Sequence, residues 1–73
     1  MSTPAELQLI QDATNDVNQC QAELEHVKGF LGAAEMYCYQ GNATGTDDEK
    51  AKAKAKLAQI IMKLQQIHDG LCP

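Results

Sequence analysis

The sequence predicts an all-α protein folded as an antiparallel two-helix hairpin, with a long first helix and a shorter second one. Its commonest residues include Ala, Leu, Gln, Glu and Lys, which are all strong helix formers. Apolar residues recur at alternating spacings of three and four on both sides of a short glycine-containing segment. The 73 residues (1–73) are expected to form a single domain, and with only three aromatic residues its core must be aliphatic and rich in alanine.

The first helix is expected to span about residues 4–40. Thr3 is a suitable N-cap, Pro4 suits the first helical position, and Glu6 completes a capping box. The sequence Gln40-Gly41-Asn42 is a typical helix stop. The predicted apolar seam of this helix consists of Ile10, Ala13, Val17, Cys20, Leu24, Val27, Leu31, Ala34 and Cys38.

Two glycines interrupt the first helix in its second half. Gly29 and Gly32 each cost about 1 kcal/mol relative to alanine inside a helix. We predict one continuous helix that tolerates them. The alternative is a break at Gly29–Gly32 that folds the chain back into a three-helix monomer.

A loop at residues 41–46 is predicted to lead into a second helix at about 47–69. Thr46 and Glu49 have the spacing of a second capping box, and Gly70 suits the end of the helix. The predicted seam of this helix consists of Ala53, Leu57, Ile60, Leu64, Ile67 and Leu71.

The lengths of the two helices predict an unpaired segment. Pairing residue 40 with residue 47 gives the rule that residue i faces residue 87 − i, so Cys20 is expected near Ile67. The first helix is then about 55 Å long and the second about 35 Å. Roughly the first dozen residues of the first helix, with Leu7 and Ile10 among them, would have no partner within the chain.

The apolar arc is wider than one neighbouring helix can cover. Phe30 and Tyr37 are expected to broaden it on the first helix, and Ile61 on the second. We therefore expect the hairpin to dimerise into a four-helix bundle, or else to bind a different helical protein. The residues predicted at this interface are Leu7, Ile10, Val17, Phe30, Tyr37 and Ile61.

Catalytic and metal-binding patterns are poorly supported. No nucleophile, base and acid occur at a recognisable spacing, so we expect a protein that is not an enzyme and needs no cofactor. Cys20, His68 and Cys72, with Glu23 as a fourth ligand, are the one candidate zinc set. We favour the alternative in which Cys20 is a small core residue, while a Cys20–Cys72 disulfide remains open.

Charge and hydropathy limit the classes of partner. The net charge is −4 and there is no arginine, so nucleic acid is an unlikely partner. The run of Lys50, Lys52, Lys54 and Lys56 is scattered around the helix axis by its spacing of two. No apolar segment approaches the roughly 20 residues of a membrane span, and the first residues do not resemble a signal peptide, which predicts a cytoplasmic protein.

These patterns favour a helical interaction module of the scaffold, adaptor or co-chaperone type, which acts through apolar helix faces. Two alternatives remain open at this point. One is a small regulatory nucleic-acid-binding bundle that uses the lysine run of the second helix. The other is an acidic inhibitor or immunity-type protein that presents its negative charge to a basic partner.

Overall fold

A computed structural model describes residues 3–71 and shows two helices packed side by side as an antiparallel hairpin. Helix α1 spans Pro4–Tyr39 and helix α2 spans Ala43–Gly70. The prediction of an all-helical hairpin is confirmed, and α1 runs without a break through Gly29 and Gly32. The hairpin is a flat rod whose Cα atoms extend over 59 × 16 × 11 Å.

Helix α1 begins as its sequence predicts. The Thr3 side chain caps the helix by accepting a hydrogen bond from the Glu6 amide, at 3.1 Å between Oγ1 and N. Pro4 occupies the first turn, where its missing N–H leaves no hydrogen bond unmade. This cap satisfies one of the backbone donors that every helix start leaves free.

A tight turn of three residues, Gln40 to Asn42, joins the helices. Gly41 has a φ of 73°, a left-handed conformation that residues with a Cβ rarely adopt. Its amide donates to the Cys38 carbonyl at 3.1 Å, and the Asn42 amide donates to the Tyr37 carbonyl at 2.9 Å. These two bonds form a Schellman motif, which ends α1 and reverses the chain at once.

Helix α2 begins four residues earlier than predicted. Asn42 is the N-cap, and its side-chain Oδ1 accepts from the Gly45 amide at 3.0 Å. Thr46, the predicted cap, lies inside the first turns, where its hydroxyl donates to the Asn42 carbonyl at 2.8 Å. Asparagine is as favourable an N-cap as threonine, and Asn42, directly after the Schellman glycine, starts the helix.

The short turn shifts the pairing of the helices relative to the predicted rule. Asp16 lies beside Lys63, with 3.7 Å between Oδ1 and Nζ, whereas the rule places residue 71 there. Leu9 and Ile10 line grooves with Leu71, so α2 covers α1 to within a few residues of its start. The predicted unpaired segment of about a dozen residues is therefore too long. Only about the first two turns of α1 lie beyond α2, with Leu7 as their large apolar side chain.

The core inside the hairpin is small. Five apolar side chains are buried among residues 3–71, and three of them are two alanines and a cysteine. Phe30 and Ile67 are half-buried against this cluster. The buried residues are Cys20, Val27, Ala34, Ala53 and Ile60.

Tyr37 closes the core at the turn end. A Cβ placed on Gly45 would lie 2.8 Å from Cγ of the Tyr37 ring, which is closer than real Cβ atoms approach other carbons. Gly45 therefore lets the start of α2 pack directly on the aromatic ring. Apart from the local backbone of α1, no atom lies within 4 Å of a Cβ placed on Gly29. Gly29 and Gly45 therefore have different roles.

We predict opposite effects of alanine at these two glycines. Gly29→Ala should stabilise the protein by about 0.5–1 kcal/mol, because alanine is the better helix former and the space is open. Gly45→Ala should destabilise it, because forcing a methyl group against a packed ring costs about 1–3 kcal/mol.

Urea unfolding followed by circular dichroism, at one protein concentration, compares the two variants. A Gly45→Ala variant as stable as Gly29→Ala would contradict the packing of Tyr37 on α2.

Candidate interaction face

The predicted apolar seam is divided between the inside and the outside of the hairpin. On α1, every second seam residue from Ala13 onward faces α2, and on α2 the residues Ala53, Ile60 and Ile67 face α1. Polar or aromatic residues such as Asp16 and Phe30 also face the other helix, at positions between these buried ones. The remaining large residues of the predicted seam therefore lie on the outside of the hairpin.

These outer residues form what we call the apolar ladder. On each helix they are spaced by seven residues, which keeps them on nearly the same side of the helix. All are classed as exposed, from 37% for Leu57 to 52% for Ile10. The ladder consists of Ile10, Val17, Leu24 and Leu31 on α1 and Leu57, Leu64 and Leu71 on α2.

The two halves of the ladder lie on the same broad face. Ile10, Val17 and Leu71 line one groove between the helices at the open end. Residues level with each other have numbers that add to 81 for Ile10 and Leu71, and to 79 for Asp16 and Lys63. By this register Val17 lies level with Leu64, and Leu24 with Leu57. The ladder therefore has three levels at which both helices carry an apolar residue.

The opposite broad face is polar except at its open end, where Leu9 and Leu71 line a groove with Asp16 and Lys63. Gln19 and Gln59 line a groove there with Glu23 and Lys63. Asp16 and Lys63 form an ion pair across the same side, each with 39% of its side chain exposed. Exposed pairs of this kind add at most about 1 kcal/mol. The polar side chains of this face are hydrated, and removing them from water would cost free energy, so the face needs no further cover. The hairpin is thus amphipathic as a whole, with one apolar and one polar broad face.

The structure separates the predicted interface residues into two groups. Leu7, Ile10, Val17 and Ile61 are exposed. Phe30 and Tyr37 do not broaden the exposed arc, because both are half-buried against α2.

The ladder leucines were not predicted as interface residues, because their positions in the heptad pattern assigned them to the inner seam. The buried row repeats every seven residues as well, so the spacing alone could not identify the exposed row. The omitted residues are Leu24, Leu31, Leu57, Leu64 and Leu71.

Within residues 3–71, the structure does not bring the candidate zinc ligands together. Cys20 is buried with Ile60, about two helical turns from the level of His68. His68 is exposed, and its Nδ1 lies 3.1 Å from Asp69 Oδ1. Cys72 lies outside the described residues, as does any disulfide from it to Cys20. Within residues 3–71, no group of three or more His, Cys, Asp or Glu side chains has the arrangement of a metal site.

The four lysines of the lysine run are distributed over different sides of α2. Lys50 continues the α2 side of the ladder, whereas Lys56 is half-buried toward α1. Lys52 forms an ion pair with Glu49 at 3.0 Å, and the hydrogen bond from this pair raises the pKa of Lys52 above its ordinary value. These positions do not give a single basic surface of the kind that binds nucleic acid.

The polar end of α2 has its own local pairs. Asp69 accepts a hydrogen bond from Gln65, at 2.9 Å, and lies beside the His68 ring. The hydrogen bond with His68, followed by that with Gln65, lowers the pKa of Asp69 below its ordinary value. Both interactions are within one exposed helix end, so they organise that end and do not form a cleft.

Neither helix contains a stretch long and apolar enough to cross a membrane within residues 3–71. Comparison with known proteins adds no assignment. No family model, curated protein or solved structure matches this chain. The candidate site is therefore defined by geometry alone, and it is the apolar ladder.

The division into inside and outside predicts unequal thiol reactivity. In a Cys72→Ser variant, Cys38 should react with a thiol reagent at the rate of an exposed cysteine. Cys20, which is 3% exposed, should react at least about 100-fold more slowly, because the hairpin must open first.

The rates are measured by absorbance with a chromogenic disulfide reagent. A Cys38→Ser/Cys72→Ser variant, which should show the slow phase alone, is the control. Two fast thiols in the Cys72→Ser variant would contradict the described core.

Proposed function

We propose that this chain is a non-enzymatic helical interaction module that acts through the apolar ladder. Its first partner is a second copy of the same chain, and the two hairpins form a four-helix bundle. In that assembly the polar faces point outward, and the bundle would serve as a scaffold, adaptor or co-chaperone module. The single observation that carries the proposal is the position of seven large aliphatic residues on one exposed face.

The concentration of apolar residues on one face is the first argument. Single exposed leucines are normal on protein surfaces, but contiguous apolar patches above a few hundred Å² mark interaction sites. The ladder continues over 22 residues of α1, from Ile10 to Leu31, which is about 32 Å of helix. A row of exposed aliphatic side chains of that length on both helices suits an interaction surface.

The size of the face suits a second hairpin. The broad face measures 59 by 16 Å, which is about 900 Å² in projection. A specific protein interface buries about 800 Å² on each partner. Two copies placed face to face therefore have the area of a standard interface, and both long faces can be covered by a rod of the same length.

The small core is the second argument. Val27 and Ile60 are the only large aliphatic side chains buried among residues 3–71. Small domains with so little buried apolar surface normally need a disulfide, a metal or a partner chain to be stable. Covering the ladder would add seven aliphatic side chains to the buried set, in rows that continue the existing core. Dimerisation is thus also the way in which the hairpin gains a full core.

Substitution of one ladder residue by a charged one tests this proposal. Leu64→Glu should shift the protein from dimer to monomer, weakening association by roughly 100-fold or more, because an unpaired charge cannot be buried at low cost. Sedimentation equilibrium over a range of concentrations measures the change.

Gln66→Glu is the matched control. It adds the same charge two residues away, at an exposed position on the polar face. This variant should remain a dimer. A wild-type protein that stays a folded monomer at about 100 µM would overturn the homodimer, and so would equal effects of the two substitutions.

A further inference from the structure

The residues that border the apolar ladder distinguish two ways of placing a second copy on it. We call these border residues the outer columns. Each lies three residues before a position in the seven-residue rows of the ladder, which Cys38 continues on α1 and Lys50 on α2, and so about 60° farther round its helix. All are exposed. The outer columns are Leu7, Thr14, Gln21, Lys28 and Glu35 on α1 and Asp47, Lys54, Ile61 and His68 on α2.

The charged residues of the outer columns are confined to the turn end of the hairpin. Lys28 and Glu35 lie in the second half of α1, and Asp47 and Lys54 in the first half of α2. At the open end these columns carry Leu7, Thr14 and Gln21 on α1, and Ile61 and His68 on α2. The apolar face therefore has a charged end and an uncharged end.

A two-fold axis can relate two such faces in two ways. If the axis runs along the helices, the turns of both copies lie at the same end, and α1 of one copy packs on α2 of the other. If the axis runs across the helices, the turns lie at opposite ends, and each helix packs on its own copy. Both arrangements are closed and isologous.

The arrangement with both turns at the same end places like charges together. Residues of the two outer columns that are level with each other then face across the interface. Glu35 would face Asp47 of the other copy, and Lys28 would face Lys54. Symmetry doubles each pair, which gives four like-charged contacts at one end of the bundle. Like charges placed together are what interfaces use to exclude a wrong orientation.

The arrangement with turns at opposite ends avoids these pairs. When the axis passes between Val17 and Leu24, Ile10 faces Leu31 of the other copy and Val17 faces Leu24. On α2, Leu57 faces Leu64 by the same register, and Leu71 faces Lys50.

In this register, no two carboxylates and no two lysines of the outer columns face each other. Glu35 then faces Leu7 of the other copy, and Lys28 faces Thr14. Lys54 faces His68, the one pair in these columns that repels when the imidazole is protonated.

From this charge pattern we infer that the second copy docks on the apolar ladder with its turn at the opposite end, so that Ile61 of each copy lies at the two-fold axis. The inference rests on the proposed homodimer and adds its orientation. It also gives Ile61, which is 63% exposed in the single hairpin, an apolar partner in its own symmetry mate.

Disulfide trapping at the axis tests the orientation. In a Cys38→Ser/Cys72→Ser background, where Cys20 stays buried, Ile61→Cys should form a covalent dimer rapidly under mild oxidation. Facing residues on packed helices have the Cα separation of about 4.4–6.8 Å that a disulfide needs. With both turns at the same end, the two α2 helices lie diagonally across the bundle, and this bond cannot form.

Met62→Cys in the same background is the matched control. Met62 is 66% exposed, nearly the same as Ile61, but it lies about 100° farther round α2 and away from the apolar face. It should give at least about tenfold less covalent dimer on a non-reducing gel. Equal trapping at the two positions would overturn the orientation.

A distance measurement separates failure of the orientation from failure of the dimer. A spin label on Gln40→Cys, at the exposed turn, should give an interchain distance of roughly 60 Å with the turns at opposite ends. A dimer by sedimentation with a distance below about 30 Å would overturn the orientation and leave the homodimer intact. A monomer by sedimentation would overturn the homodimer itself.

Discussion

The three-residue turn at Gln40–Asn42 is the constraint on which the rest of the structure depends. Gly41 ends α1 in a left-handed conformation, and Asn42 directly caps α2, so no residue is left to adjust the path between the helices. A connection this short fixes both the level at which the helices pair and the sides they turn toward each other. The pairing of Asp16 with Lys63 and the burial of Cys20 with Ile60 both follow from it.

The turn fixes the rotation of each helix about its own axis. This rotation explains why the core is so small, although both helices carry an apolar seam. Each helix turns one row of small or branched residues inward, and that row includes Ala34 and Ala53. The ladder leucines lie on the neighbouring side of each helix, which forms the broad apolar face. Small inner residues let the helices lie close together, while the large outer ones supply a surface that a second hairpin can cover. In the proposed homodimer, each hairpin supplies half of the core.

The sequence predicted the helices well and their relation less well. Thr3 and the Gln40–Asn42 stop were recognised, because capping is a local property of a few residues. The start of α2 was misplaced because Asn42 and Thr46 are both good caps, and only the geometry of the turn decides between them. That error moved the pairing by about two turns, which placed Cys20 near His68 and lengthened the predicted unpaired segment. Leu24 and Leu64 were assigned to the inside because a heptad pattern does not show which of its two rows meets the neighbouring helix.

In the proposed homodimer, the fold of each hairpin depends on a second copy that covers the apolar ladder. Thermal unfolding by circular dichroism, at two concentrations about 100-fold apart, measures this dependence, because only association makes the midpoint depend on concentration. The midpoint should rise by about 5–10 °C at the higher concentration. A cooperative transition with the same midpoint at both concentrations would contradict it.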